Sequence, residues 1–338
     1  MPSGASLLGW IAVHFMIGLA GTWIARRYAL HRRLLDEPGE RRSHVVATPR
    51  GGGISIVVAL LLAFLALAVW RADRSALLLA GGSGLLLVAV VGWIDDHRPL
   101  SATLRLLVHV VAAGILAAAV YQENGSLAVA CVVFAIALIL VNVWNFMDGI
   151  DGLAASQAVI VALGYVLCMA DQVASAAALA LAAATCGFLP FNFPKARIFL
   201  GDVGSGSLGF GLATLLALEV SARPERPSMV QFVFLVPLSA FMVDASLTLM
   251  KRIVRGERWW TAHVEHAYQR WAARSQGHVV VTTVYAIWTM VGVGLMLSVQ
   301  SASAAAIMAS VIAWHLLAAF AWIRLQGRGR VSSQGRRA

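Results

Sequence analysis

The sequence predicts an all-α, polytopic integral membrane protein, and three observations carry that prediction. Of 338 residues, 60% are hydrophobic and 12% are charged, with a mean hydropathy of +0.79. A soluble globular domain has about 45–50% apolar residues and about twice that share of charge, so too little charge is present to cover a water-facing surface. The apolar residues also gather into runs close to the roughly 20 residues that a helix needs to cross a bilayer. Finally, the Lys and Arg residues fall almost entirely in alternate connections. These observations exclude a soluble enzyme, a disordered chain and a fibrous repeat. The net charge of +10 is no nucleic-acid signal, because the basic residues lie between spans.

Eleven runs qualify in chain order: 6–28, 51–70, 76–94, 103–121, 127–146, 153–170, 173–191, 206–220, 229–250, 279–299 and 302–323. Several are built of Ala, Leu, Val and Gly without alternation, and a backbone in lipid must satisfy its own hydrogen bonds, so helices are expected. Ten or eleven spans follow. The first run has no basic residue before it from Met1 to Trp10, unlike a signal peptide, so it is expected as a retained helix. The three cysteines (Cys131, Cys168, Cys186) sit inside apolar runs at no metal-ligand or disulfide-like spacing. The expected organisation is one transmembrane helical domain, 1–338, with active-site loops at 29–50, 95–103, 146–153, 191–206 and 251–278.

With the N-terminus outside, the connections facing the cytoplasm carry twenty-two basic residues, and the opposite side has four: Arg71, Arg74, Arg223 and Arg226. That asymmetry is the positive-inside pattern of a plasma-membrane protein. The basic tail (Arg324, Arg328, Arg330, Arg336, Arg337) reads as a topology anchor, helped by anionic lipid headgroups.

The sixteen acids are few enough for position to matter. Asp95, Asp96, Asp148, Asp151 and Asp202 come from three connections that topology puts on one face. Carboxylates near apolar helix ends are costly to desolvate and mark functional sites. Five together repel, and a divalent cation makes them compatible if the three loops converge. Asp95-Asp96 alone is as consistent with a solvated helix end as with a site. The stretch Asn142 to Leu153 says more: Asp148 and Asp151 share a face if the turn is helical, and Asn142 and Asn145 repeat the spacing. The glycines of Gly201-Asp202-Val203-Gly204-Ser205-Gly206 before a helix expose N–H groups able to cradle phosphate. Arg50-Gly51-Gly52-Gly53 is explained equally by helix packing or a hinge.

In the loop 259–271, His263 and His266 are three apart and Arg270 follows. Zinc would need a third ligand that the pattern does not supply, and His with Arg suits an anionic substrate better. Trp259, Trp260, Tyr268 and Trp271 read as an interfacial belt rather than a stacking platform. His14, His109 and His315 are expected as hydrogen-bonded packing residues. Asp244, inside the ninth span, is either a structural acid or a distant member of the site.

Taken together, the motifs resemble the polyprenyl-phosphate N-acetylhexosamine-1-phosphate transferase family. The resemblance runs through Asp36-Glu37-Pro38, Arg42-Ser43-His44, Thr48 to Gly53, Asp95-Asp96, Asn142 to Ala154, Asn192 to Ser205 and the final His loop. That loop looks like the version in members that initiate O-antigen synthesis. Arg105 stands where the family often has Lys, which keeps the charge but not a deprotonatable amine. The resemblance implies transfer of a sugar 1-phosphate from a UDP-N-acetylamino sugar to undecaprenyl phosphate, releasing UMP, with Mg2+ or, as an alternative ion, Mn2+. It implies that Asp202 holds the metal with Asp95, and that Asp95, Asp96, Asp148 and Asp151 are catalytic. Asn142, Asn145, Asp148 and Asp151 then belong to the nucleotide side. His263, His266 and Arg270, with Glu265, meet the sugar or diphosphate; Arg42, His44 and Arg105 meet the lipid phosphate. Membrane lipids and a second copy in a homodimer are further expected partners, and nucleic acid is not. A CDP-alcohol phosphotransferase is the main alternative, but the second half of its motif does not follow Asp151. An intramembrane aspartyl protease would want Gly-x-Gly-Asp, which Asp202 lacks. A lipid transporter would place its charges near the bilayer midplane.

Overall fold

Each of the eleven apolar runs carries a helix among the described residues. The computed structural model describes residues 4–37, 47–222, 231–258, 261 and 263–327. Among them are helices α1 (Gly4–His31), α2 (Ile54–Trp70), α3 (Ser75–His97), α4 (Ala102–Asn124), α5 (Leu127–Phe146), α6 (Leu153–Cys168), α7 (Gln172–Asn192) and α8 (Asp202–Ser221). A 3₁₀ stretch, Phe232–Leu238, then runs straight into α9 (Ser239–Val254), followed by α10 (Ala267–Trp271), α11 (Gly277–Val299) and α12 (Ala304–Gly327). Nine of these segments are long and apolar enough to cross a membrane. The other two apolar runs form the shorter α2 and α6, of 17 and 16 residues. The chain is an all-α, multi-pass integral membrane protein. Two-residue strands β1 (Leu35–Asp36) and β2 (Thr48–Pro49) pair antiparallel, Leu35 opposite Pro49.

Local chemistry sets the helix ends. The Ser101 hydroxyl accepts from Leu104 N–H at 3.2 Å and starts α4, and Asp171 accepts from Val173 and Ala174 N–H at 3.2 and 3.3 Å to start α7, each satisfying an orphan donor. The centre of the bundle is α8, buried along almost its whole length and packed against α3 and α5. Its small residues (Gly204, Ser205, Gly206, Ser207, Gly209, Gly211) permit close backbone approach, the usual glue between membrane helices. At Gly53 and Gly204 two backbones nearly touch, and a Cβ on Gly53 would sit 2.2 Å from the Gly204 Cα. Gly52 and Gly53 therefore serve packing: their N–H groups donate to the carbonyls of Phe199 and Leu200 at 2.9 Å each.

Candidate active site

The ends of α3, α5 and α8 and the connections beside them converge on a cavity of about 930 Å³. Asp202 is the first residue of α8, not part of the preceding loop. One Arg105 nitrogen, Nη1, donates to Oδ2 of Asp95 at 2.9 Å and to Oδ2 of Asp202 at 2.8 Å. The other Asp202 oxygen accepts from Asn145 Nδ2 at 2.9 Å, and that amide also reaches Ser205 Oγ at 3.1 Å. Arg105, expected against lipid phosphate, is thus a bridge between two carboxylates that also lines the cavity. Asp95 is not itself among the described lining residues.

Asp96 has a different employment. It is 3% exposed, and its two oxygens accept from the N–H groups of Asp202 and Val203 at 3.0 and 3.2 Å. Arg50 donates to the Asp96 carbonyl and lies 3.9 Å from its carboxylate. Two of the N–H groups expected to cradle phosphate are therefore already taken by a carboxylate, which favours the positive end of α8, and those of Gly204 and Ser205 donate to the Gly201 carbonyl at 3.0 Å each. Gly201 makes this possible. Its φ is +74°, and a Cβ there would lie 2.4 Å from Asp96 Oδ2.

The Asn142–Leu153 stretch also departs from expectation. It is not helical throughout: α5 ends at Phe146, α6 begins at Leu153, and Gly152 between them has φ +73°. Asp148 and Asp151 therefore do not share a helical face. Asp148 lines the cavity with Asn142 and Asn145, whereas Asp151 lies 3.2 Å from His278 Nδ1 on α11. Thr282 of α11 donates to the Asp151 carbonyl at 2.9 Å, so Asp151 pins the turn. Burial pushes the Asp148 carboxyl well above its ordinary range, and the charges of Asp202, Asp96, Asp36 and Asp151 push it further.

The cavity is also lined by His263 and His266, ring centroids 4.9 Å apart, together with Thr261, Tyr268 and Gln269. Burial, then the neighbouring His266 and Arg252, lower His263 to about 4, leaving it neutral at pH 7. Arg270 does not line the cavity, and Glu265 is occupied elsewhere. Burial pushes the Glu265 carboxyl up, but Arg252 and His263 outweigh it and hold it below the carboxylate range. Its partner Arg252 also pairs with Glu257 at 2.9 Å. Tyr268 is no interfacial aromatic: it is fully buried and donates to the Phe146 carbonyl at 3.0 Å. Trp271 packs on the core, while Trp259, Trp260, Arg42 and His44 lie outside the described residues. His14 and His315 bond the carbonyls one turn back, as packing residues do. His109 instead joins the cavity wall, one turn beyond Arg105. Asp36 joins it too, so the wall gains an acid from the β1 segment that no site role had marked.

Among the described residues, no three His, Cys, Asp or Glu side chains gather into a complete metal site. A hard cation such as Mg2+ needs only one or two carboxylates and fills its shell with substrate phosphate and water. Two carboxylate oxygens converging on one cationic nitrogen, with Asn145 beside them, fit that mode and not a closed cage.

Residues 78–219 match the model of the glycosyl transferase family 4. The chain is also 32% identical over 241 residues to the Synechococcus phospho-N-acetylmuramoyl-pentapeptide-transferase, covering 64% of this chain and 68% of that relative. It belongs to glycosyl transferase family 4. Two further relatives are matched over more of their length. The Mycobacterium leprae decaprenyl-phosphate N-acetylglucosaminephosphotransferase is 28% identical over 325 residues, 82% of this chain and 78% of that one. The Yersinia pestis undecaprenyl-phosphate alpha-N-acetylglucosaminyl 1-phosphate transferase is 27% identical over 306 residues, 82% and 81%. Within this glycosyl transferase, the matched 78–219 segment supplies Asp95, Asp96, Arg105, Asn142, Asn145, Asp148 and Asp202, and the His wall comes from outside it.

Proposed function

We propose that the protein transfers an N-acetylamino sugar 1-phosphate from a UDP-sugar to undecaprenyl phosphate or a related polyprenyl phosphate, releasing UMP, as the initiating step of an O-antigen or other cell-envelope polysaccharide. The observation that carries the chemistry is the Asp95–Arg105–Asp202 bridge opening on a large cavity at helix ends. A lipid phosphate oxygen attacks the β-phosphorus of the UDP-sugar, and the bond from that phosphorus to the bridging oxygen breaks. UMP leaves with that oxygen and its electron pair, and polyprenyl diphosphate-sugar remains.

Reaction between two anions demands positioning and charge neutralisation more than covalent help from the protein. Arg105 brings positive charge to the phosphates, and Asn145 at the carboxylate and Asp96 at the backbone N–H fix the aim of Asp202. Asn142, Asn145 and Asp148 face the nucleotide side. His263 and His266 face the sugar and diphosphate. Bound at Asp202 and Asp95, Mg2+ would offset the negative charge that the diphosphate carries into the site. The same reading puts the site on the cytoplasmic side of the bacterial inner membrane, where UDP-sugars are made, and the N-terminus outside.

The test is radiolabel transfer from a panel of UDP-N-acetylamino sugars to polyprenyl phosphate by the purified protein, with UMP measured alongside. Equimolar UMP and labelled lipid are expected for at least one donor. UMP release without lipid product, or no turnover with any donor, overturns the proposal. Impermeant maleimide labelling of a cysteine at position 98 only in opened vesicles supports the orientation, and labelling in intact spheroplasts reverses it.

A further inference from the structure

Asp244 sits in α9, a membrane-spanning helix, and is 2% exposed. An acid at such depth costs several kcal/mol unless its charge is matched. Its Oδ1 accepts from Ala267 N–H at 2.8 Å and the Thr248 hydroxyl at 3.2 Å. Its Oδ2 accepts from Tyr268 N–H at 3.1 Å and the Tyr285 hydroxyl at 3.0 Å. All four donors are neutral, and a neutral amide oxygen could take backbone N–H groups without burying a charge. Beside those donors, one group able to carry a proton faces Asp244. His266 Nδ1 lies 3.6 Å from Asp244 Oδ1, with side-chain exposures of 4% and 3%. That nitrogen is buried and makes no hydrogen bond. His266 is a wall residue of the cavity, so turning the Nδ1 edge to Asp244 leaves the Nε2 edge for the cavity.

We propose that Asp244 is a positioning residue for the transfer reaction, holding the His266 proton on Nδ1 and presenting Nε2 to the sugar-diphosphate as a hydrogen-bond acceptor. A carboxylate behind an imidazole fixes its tautomer and ring orientation in this way. The proposal rests on the functional reading above for what fills the cavity. The same carboxylate, by capping α10, places Tyr268 against the Phe146 carbonyl, so one buried acid sets the His wall against the Asp148 turn. Because an acceptor reads a hydroxyl or N–H of the donor, this arrangement bears on sugar choice.

The experiment has two arms. In the first, ¹⁵N-histidine NMR of the detergent-solubilised full chain at pH 8, with the His266→Gln variant assigning the signal, reads the tautomer without substrate. The Nδ1–H tautomer is expected in the wild type, and its loss toward Nε2–H in Asp244→Asn. In the second, a double-mutant cycle compares Asp244→Asn alone with the same change in a His266→Ala background. Asp244→Asn alone is expected to lower kcat/KM by about tenfold to hundredfold, and by less than about threefold when His266 is already absent. A wild-type His266 protonated on Nε2 overturns the proposal, even where Asp244→Asn fails to fold. Equal losses in both backgrounds overturn it too, leaving Asp244 a helix cap. No transfer by the wild-type protein would instead overturn the functional reading and leave the tautomer result standing.

Discussion

The two ends of α3 and α8 make an instructive pair, because each end carries buried acids and only one of the two opens on the large cavity. At one end Asp95, Asp96 and Asp202 surround Arg105 and Arg50 and line or flank the 930 Å³ cavity. At the other, Arg74 Nη1 lies 3.2 Å from Glu123, its Nη2 lies 3.6 Å from Asp171, and that nitrogen also donates to the Leu218 carbonyl at 2.7 Å. There Glu219, 3% exposed, accepts from Asp171 N–H at 3.0 Å. This second cluster closes on itself around Arg74 and ties the ends of α3, α4, α7 and α8 together. Buried acids at helix ends therefore do not mark a site unless they open on space that a substrate can fill.

Substitutions at the two ends sharpen that contrast. Asp202→Asn should lower kcat by about 10²–10³-fold, the range for removing one preorganised electrostatic partner, while the thermal midpoint in detergent stays near that of the wild type. A variant retaining most of its turnover would break the assignment, and full wild-type activity after EDTA stripping would remove the metal from it. Arg105→Ala should cost roughly tenfold to hundredfold in kcat/KM, corresponding to one charge-assisted hydrogen bond. Arg105→Lys should recover part of the loss, since the charge returns without the guanidinium fork; equal losses in both would show that shape, not charge, matters there.

At the closed end the effects should reverse in kind. Arg74→Ala leaves Glu123 and Asp171 without their cation and should destabilise by about 3 kcal/mol, read as a lower denaturation midpoint, with kcat per folded molecule changed less than about twofold. A large kcat loss there would erase the distinction between the two ends. The smallest effect is a pH dependence. The Asp148 carboxyl is held well above its ordinary range, so the folded state keeps its proton to higher pH than the unfolded chain does. Stability should then fall as pH rises above the ordinary carboxylate value toward the raised one. Asp148→Asn should flatten that decline between pH 4 and 8, and parallel pH profiles for variant and wild type would count against it.

Sequence pattern carried the helices and half of the site. Eleven apolar runs gave eleven helical segments, because a span in lipid must be a helix of bounded length whatever its neighbours do. Asp202, Asn145 and Asp148 were legible because polar groups beside the bilayer are expensive and so stand out. Asn142, Arg105, His263 and His266 were legible on the same ground, whereas other readings failed for a local reason in each case. Asp148 and Asp151 look like partners at helical spacing, but Gly152 at positive φ breaks the turn and sends Asp151 to His278. The glycine-rich start of α8 looks like a phosphate cradle, yet the N–H groups of Asp202 and Val203 are filled by Asp96, the first of them from 106 residues away. His109 looks like packing until α4 is placed beside Asn142.

What the sequence by itself determined is the class of molecule: multi-pass topology, helical state and the set of acids that had to be explained, all consequences of transfer energies that act residue by residue. Tertiary structure decided which of those acids work together. Asp95 and Asp202 share Arg105, Asp96 serves the backbone of α8, Glu265 belongs to Arg252, and Asp244 belongs to the His wall. These pairings depend on distances between helices far apart in the chain, and a carboxylate's role is fixed by the cation or N–H within about 3 Å of it, which spacing along one strand of sequence does not contain.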